Sequence, residues 1–328
     1  MTAVSAGWVI FVVVMLAIVG FVGPVCLRKA SPALARAPRL AILLLLGGIL
    51  IWPTALLSLS LILAWVVSGP VILPAGASEV CQQCLAASNP FATSPFSTWI
   101  PSAVLVIVPV VVGLISAFSI AGEYRIRVQR SRRMAAAVFG ASTPRRICGH
   151  DVSVVRDDRP WALAFPSRQG GIALSTAALN RLGDDELLAV LTHEATHLRQ
   201  RHHILSDLVA SINRYLHWVP FIREAAAALP SYLEIAADER ACRRAGTPAM
   251  VRALLVLGER TVPAGASGST VGPLLAAGPD RIPHLVRPDT SSRGYLPAAV
   301  TSAHLIILGV VAAIVVASYA NALLTGCV

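Results

Sequence analysis

The residues best suited to chemistry in this sequence form the run His193-Glu194-Ala195-Thr196-His197. If the run is helical, His193 and His197 lie on one face, and both imidazoles can bind a single metal ion. Glu194 lies beside them, where its carboxylate can take a proton from an attacking water. This H-E-x-x-H pattern is typical of zinc-dependent peptidases and predicts a hydrolytic centre.

The flanking residues predict the helix that this pattern needs. Acidic residues at 184–186 place negative charge at the start of the helix, where the helix dipole favours it. Four leucines between positions 187 and 198 follow at helical spacing and form an apolar stripe. At about 100° per residue, His193 and His197 lie well away from that stripe. Their position favours metal binding over packing in the core.

A catalytic zinc ion ordinarily has three protein ligands, so a third must come from another segment. Glu234 and Asp238 are also four residues apart and present two carboxylates on one helical face. One can bind the metal, while the other accepts a hydrogen bond from the free N–H of a ligand histidine. The alternative is an ordinary surface helix whose acids pair with neighbouring arginines. The nearby H-E-x-x-H motif favours the ligand interpretation.

The run from His193 to Arg240 resembles the integral-membrane metallopeptidases of the BlaR/MecR antirepressor type, which are gluzincins. Three pieces match in order: the H-E-x-x-H motif with basic residues after it, Leu216-His217-Trp218 with Pro220, and Glu234-x-x-x-Asp238-Glu239-Arg240. The resemblance implies that the zinc ligands are His193, His197 and Glu234. It also implies that Glu194 is the general base and that Asp238 holds a ligand histidine.

One position departs from the pattern of that family, which has Asp five residues after the second histidine. This sequence has His202 there, and we expect the change to alter a helix-end contact and not the metal site. We interpret His202 and His203 as residues at the C-terminal end of the helix that face its dipole or solvent, in preference to a second metal site. His217 and Trp218 are expected to pack at a helix junction.

Composition indicates a membrane-embedded chain. Hydrophobic residues make up 55% of the sequence and charged residues only 13%, and the mean hydropathy is +0.70, outside the range of soluble domains. Four uncharged runs predict transmembrane helices, the second of them bent near Pro53, at residues 6–27, 40–72, 100–121 and 297–320.

The predicted fold is an α-helical membrane protein with four transmembrane helices plus a cytoplasmic α+β zincin-like metallopeptidase domain. Residues 1–121 would hold the first three helices, with an outer loop at 73–99. Residues 122–296 would form the peptidase domain. Residues 297–328 would form the fourth helix and a short outer tail.

Basic residues predict the orientation. They follow the first span, at positions 28–39, and the third, where five arginines lie between positions 125 and 133. The loop at 75–99 has one charge, Glu79, and the termini have none. The positive-inside rule therefore predicts a plasma-membrane protein with both termini outside and the active site on the cytoplasmic side. The net charge of +10 is interpreted as anchoring to the lipid bilayer, with no direct nucleic acid binding.

Two further segments have alternative interpretations. Cys81 and Cys84 form a C-x-x-C pair in the predicted outer loop, where oxidising conditions favour a local disulfide; a redox sensor is the alternative. Residues 261–292 are rich in Gly, Pro and Ser and predict a flexible connector. A self-cleavage or regulatory segment is the alternative there.

Short strands are predicted before the H-E-x-x-H helix at residues 152–155, 161–165 and 172–174. In related metallopeptidases an edge strand before the active-site helix pairs with an extended substrate, and the candidate here is the segment Gly171-Ile172-Ala173-Leu174. Predicted helices lie at residues 176–182, 184–201, 205–216, 232–245 and 248–259.

The predicted function is a membrane-embedded zinc metalloendopeptidase, with Zn²⁺ as cofactor and a protein or peptide as substrate. The resemblance implies that the substrate is a cytoplasmic DNA-binding repressor in a signal-response pathway. The sensor domain of that family is expected to be missing after Val328. One alternative is a membrane quality-control or prenyl-protein-type zinc peptidase. Another is a non-catalytic membrane receptor or scaffold.

Overall fold

The computed structural model describes residues 2–68, 83, 96–97, 102–258 and 294–325. Within that part of the chain, four helices are long and apolar enough to cross a membrane: Gly7–Arg36, Pro38–Val66, Val104–Phe139 and Tyr295–Asn321. They overlap the four runs predicted as spans, and they are consistent with a multi-pass membrane protein.

The first part of the chain is built from these apolar helices. Helix α1 (Thr2–Ala17) continues through a π turn (Ile18–Val22) into α2 (Gly23–Arg36). Helix α3 (Pro38–Val66) passes through Pro53 without ending. A short parallel pair, β1 (Val67–Ser68) and β2 (Phe96–Ser97), follows, and α4 (Ser102–Phe139) leads from the apolar region into the rest of the molecule.

A four-stranded sheet comes next. Its strands are β3 (Ser142–Ile147), β4 (His150–Val155), β5 (Ala162–Ala164) and β6 (Ile172–Ser175), in the order β3-β4-β6-β5. Strands β4 and β6 are parallel, and the other two pairs are antiparallel.

The strand prediction for Gly171-Ile172-Ala173-Leu174 is right about the extended backbone and wrong about the edge. Residues Ile172–Leu174 pair with β4 on one side and with β5 on the other, so β6 is an interior strand. After β4 the chain first forms β5. It then turns at Gly170-Gly171 and forms β6, which lies between β4 and β5. The edge next to β6 is therefore β5, extended at both ends by hydrogen bonds at Trp161 and Phe165.

Six helices complete the described chain: α5 (Thr176–Arg181), α6 (Asp184–Arg199), α7 (His202–Leu216), α8 (Pro220–Ala245), α9 (Thr247–Gly258) and α10 (Tyr295–Thr325). Helix α6 begins as the acidic residues predict. The Gly183 N–H donates to the Glu186 carboxylate at 2.9 Å, and this bond, together with Arg252, lowers the pKa of Glu186.

Helix α8 begins at Pro220, not at Tyr232 as predicted from the sequence. Pro220 is tolerated in the first turn, where its missing N–H has no helical partner. The alanine-rich stretch that follows favours a helix. Its burial against the apolar helices carries the helix through Pro230.

Helix α8 joins the two halves of the molecule. Near its start, the Phe221 ring lies in a slot between Gly23 and Gly48; an added Cβ would be 2.7 Å from the ring at Gly23 and 2.5 Å at Gly48. Only glycine therefore allows α2 and α3 to approach the ring so closely. Near its end, Ala241 packs in a separate core with α6, α9 and the sheet. The packing expected of His217 and Trp218 at the junction of α7 and α8 is limited. Trp218 contacts the edge of Trp52 but is 61% exposed, and His217 is exposed as well.

Candidate active site

Three side chains from two helices converge at one point. The Nε2 atoms of His193 and His197 on α6 lie 2.9 Å apart. Glu234 on α8 places one carboxylate oxygen 3.5 Å from His193 Nε2 and the other 3.3 Å from His197 Nε2. The set could hold a metal ion. The proximity arises because α6 packs against α8.

The spacing of these atoms fits zinc. A tetrahedral zinc ion with ligands at about 2.1 Å separates its ligand atoms by about 3.4 Å. The three observed separations are 2.9, 3.3 and 3.5 Å. Two imidazole nitrogens and a carboxylate are also the donors that zinc prefers. The residues therefore fit the ion in both chemistry and distance.

Asp238 orients the first histidine. Its Oδ1 lies 2.9 Å from His193 Nδ1, one turn of α8 beyond Glu234. Burial alone lowers the pKa of His193, but hydrogen bonding to Asp238 and Glu234 raises it to about 9. Burial raises the pKa of Glu234, yet the two histidines outweigh it and leave the pKa well below its usual range. With Nδ1–H donating to Asp238, Nε2 of His193 carries the lone pair that a metal needs.

His202 orients the second histidine, and here the expectation of a helix-end contact away from the metal site is wrong. His202 begins α7 and is buried, with Nδ1 2.9 Å from His197 Nδ1 and Nε2 3.1 Å from Gln200 Oε1. Burial, followed by the charge of His197, lowers the pKa of His202 to about 3. A neutral His202 that donates from Nε2 to Gln200 accepts the Nδ1–H of His197, which leaves Nε2 of His197 open toward the metal.

The backbone explains how His202 reaches that position. Arg201 adopts a left-handed conformation, with φ of 53° and ψ of 39°, and turns the chain sharply between α6 and α7. The turn folds His202 back onto His197. Arginine seldom adopts this conformation, so nothing in the local sequence predicted it. The sequence signal for this contact was that His202 stands where the BlaR/MecR-type family has Asp.

We expect replacement of His202 by Phe to weaken zinc binding about 10- to 100-fold, because His197 loses the acceptor that fixes its ring. His202→Asp should retain most of the affinity, since a carboxylate also accepts the Nδ1–H. Zinc affinity is measured by competition with a chromophoric chelator. His203→Ala is the matched control on the same helix turn. Equal affinities for His202→Phe and His203→Ala would contradict this role.

Of the other predicted site residues, one lies on the active-site helix and the rest lie in the sheet. Glu194 is buried on α6 between the two histidines in sequence. Gly171 and the three residues after it lie in the interior of the sheet, and the strand edge that contacts α6 is β5. Cys81, Cys84 and the connector at 261–292 lie outside the described residues.

Comparison with known proteins identifies the domain that contains this site. Residues 125–251 match the model of Peptidase family M48. That range includes the H-E-x-x-H motif and both acids of α8. No curated protein and no solved structure matches the chain. The comparisons support a zinc metallopeptidase domain and do not extend to the antirepressor type. The protein therefore carries a Peptidase family M48 domain and is a zinc metallopeptidase, a hydrolase.

Proposed function

We propose that this protein is a membrane-embedded endopeptidase whose zinc ion is held by His193, His197 and Glu234. The observation that carries the proposal is the convergence of these three donors at separations of 2.9 to 3.5 Å. Asp238 and His202 each hold the Nδ1 side of one ligand histidine, so both Nε2 lone pairs face the same point.

Glu194 is the proposed general base. When bound, zinc would supply an acidified water and polarise the substrate carbonyl. The Glu194 carboxylate accepts the proton of the attacking water and returns it to the leaving nitrogen of the scissile bond. Its burial beside His193 places this proton transfer away from bulk solvent.

The substrate is proposed to lie along β5. An extended peptide can add to an exposed strand edge through backbone hydrogen bonds, which select for chain direction more than for side chains. Among the described strands, β5 has a partner on one side only, and it contacts α6. Residues 161–165 therefore replace Gly171–Leu174 as the proposed substrate-binding edge.

We place the active site on the cytoplasmic side, with both termini outside and the domain boundaries at residues 121 and 296. Two ion pairs support this placement. Arg28 on α2 lies 2.9 Å from Glu224 on α8, and Arg214 on α7 lies 3.4 Å from Glu123 on α4. The peptidase helices thus meet the arginine-rich ends of the apolar helices, which the positive-inside rule assigns to the cytoplasm.

Two substrate classes follow from different observations. The three motif pieces between His193 and Arg240 favour cleavage of a cytoplasmic transcriptional repressor. The match to family M48 and the departure at His202 favour a membrane quality-control or prenyl-protein-type peptidase. The non-catalytic alternative is set aside because the domain is a zinc metallopeptidase with Glu194 in place.

The experiment that tests the proposal compares newly exposed protein N-termini in cells carrying the wild type or Glu194→Gln. We expect cleavages that depend on Glu194 because the base is needed for water attack. Loss of one cleavage in a DNA-binding repressor supports the first substrate class. Loss of many cleavages in membrane or prenylated proteins supports the second. Identical N-termini under all stresses would overturn the proposed proteolysis.

A further inference from the structure

A cavity of about 530 Å³ lies behind the active-site helix. It is lined by the turn between β3 and β4, one face of α6 and the C-terminal end of α8. On α6 the lining residues include Thr192 and Thr196, which project from a face about 100° away from that of His193 and His197, since each threonine comes one residue before a histidine. The cavity is therefore separate from the metal centre.

The lining of this cavity is strongly basic. Four arginines line it, and none of the lining residues is acidic: Arg199, Arg240, Arg243 and Arg244. Arg243 pairs with Glu239 at 3.3 Å. The other three make no ion pair with any residue in the described part of the chain. Burial lowers the pKa of His150, another lining residue, and the charge of Arg244 lowers it further.

Helix dipoles explain only part of this arrangement. Basic residues in the last turn of a helix are favourable, and this accounts for Arg199 on α6 and Arg243 and Arg244 on α8 individually. It does not account for side chains of two helices lining one cavity. All four arginines are exposed, so their like charges repel each other only weakly through solvent. A bound anion would remove that repulsion.

We propose that this arginine pocket binds a soluble phosphate-bearing small molecule. Guanidinium groups recognise phosphate through paired N–H donors, and the volume lies within the range of about 300–1,000 Å³ typical of small-molecule sites. A lipid headgroup offers the same chemistry. However, Arg240 lies about 28 Å along α8 from Phe221, which contacts the apolar helices. The adjacent Ala241 packs in the peptidase core, so the soluble source is favoured.

The pocket also lies next to the helix positions that carry the proposed zinc site. Thr192 precedes His193 on α6, and Arg240 follows Asp238 by two residues on α8. An anion held in the pocket would bridge the two helices that supply all three proposed zinc ligands. The site goes beyond the proposed proteolysis: it would be an effector site for a phosphorylated molecule.

The test is calorimetric titration of inorganic pyrophosphate into the full-length, zinc-loaded protein in phosphatidylcholine nanodiscs. We expect saturable binding with a Kd below about 1 mM. Arg240→Gln/Arg244→Gln should weaken it at least about tenfold, and Arg199→Gln should weaken it in the same direction. Arg181→Gln, an exposed arginine on α5 away from the cavity, is the matched control and should bind as the wild type does.

The pocket variants separate pocket binding from zinc chelation, because chelation would give the same signal in the wild type and in every variant. Thermal unfolding of each variant verifies that it is folded. Equal pyrophosphate affinity in the wild type and both pocket variants, or no saturable binding, would overturn the proposal. Repeating the titration in phosphatidylglycerol nanodiscs distinguishes the sources. An unchanged Kd supports the soluble ligand, while loss of binding through competition would overturn that assignment in favour of the headgroup.

Discussion

Glu194→Gln should abolish most proteolysis while zinc remains bound. The amide keeps the size of the side chain on α6 but cannot accept the proton of the attacking water. Loss of a general base lowers the rate by about 10²- to 10⁴-fold. The three proposed metal ligands, His193, His197 and Glu234, are untouched by the change, so zinc content should stay near one ion per chain.

Two measurements on the same purified sample test this expectation. Cleavage of an unstructured reporter protein gives the rate, and elemental analysis gives the zinc content. Asp185→Asn, an exposed acid on the same helix, is the matched control and should cleave at the wild-type rate. Wild-type proteolysis by Glu194→Gln would refute the assignment of the base. Joint loss of zinc and activity would show that Glu194 supports the metal instead.

Glu234→Ala and His197→Ala should lose both zinc and activity. Each change removes one of the three proposed protein ligands. In Glu234→Ala, the buried histidines also lose the carboxylate that lies 3.3 and 3.5 Å from their Nε2 atoms. Activity should fall at least as far as in Glu194→Gln, because the ion that would activate the water is absent.

The loss of zinc has a readout that does not depend on catalysis. A ligand at a thousand times its Kd stabilises the folded state by about 4 kcal/mol. Added zinc should therefore raise the unfolding temperature of the wild type and of Glu194→Gln, but not of Glu234→Ala. Glu239→Ala is the matched control, since Glu239 lies on the same helix and pairs with Arg243 away from the metal. A zinc-dependent shift in Glu234→Ala equal to that of Glu239→Ala would contradict the ligand assignment.

The sequence predicted the parts of the site that depend on spacing along a helix. His193 and His197, and Glu234 and Asp238, are each four residues apart, and helical geometry alone places each pair on one face. The structure brings the two pairs together, and the distances between His193 and both acids are those expected of a ligand and an orienting group. The acidic start of α6 and the four apolar helical runs were predictable for the same local reason.

The errors lie where the outcome depends on distant parts of the chain. The start of α8 was placed at Tyr232, whereas the helix begins at Pro220 and burial against the apolar helices carries it through Pro230. The strand at Ile172 was recognised, but its neighbours were not. Strand order depends on which segments pair across the sheet, and alternation along one strand carries no information about that.

The sequence by itself determined the catalytic chemistry of this protein, because the repeat of an α-helix fixes which side chains share a face. Only the tertiary structure decided what surrounds that chemistry. The left-handed turn at Arg201 brings His202 onto His197, a proposed ligand, and the packing of α6 against α8 gathers arginines around a separate cavity. Both depend on contacts between elements whose approach no local pattern encodes.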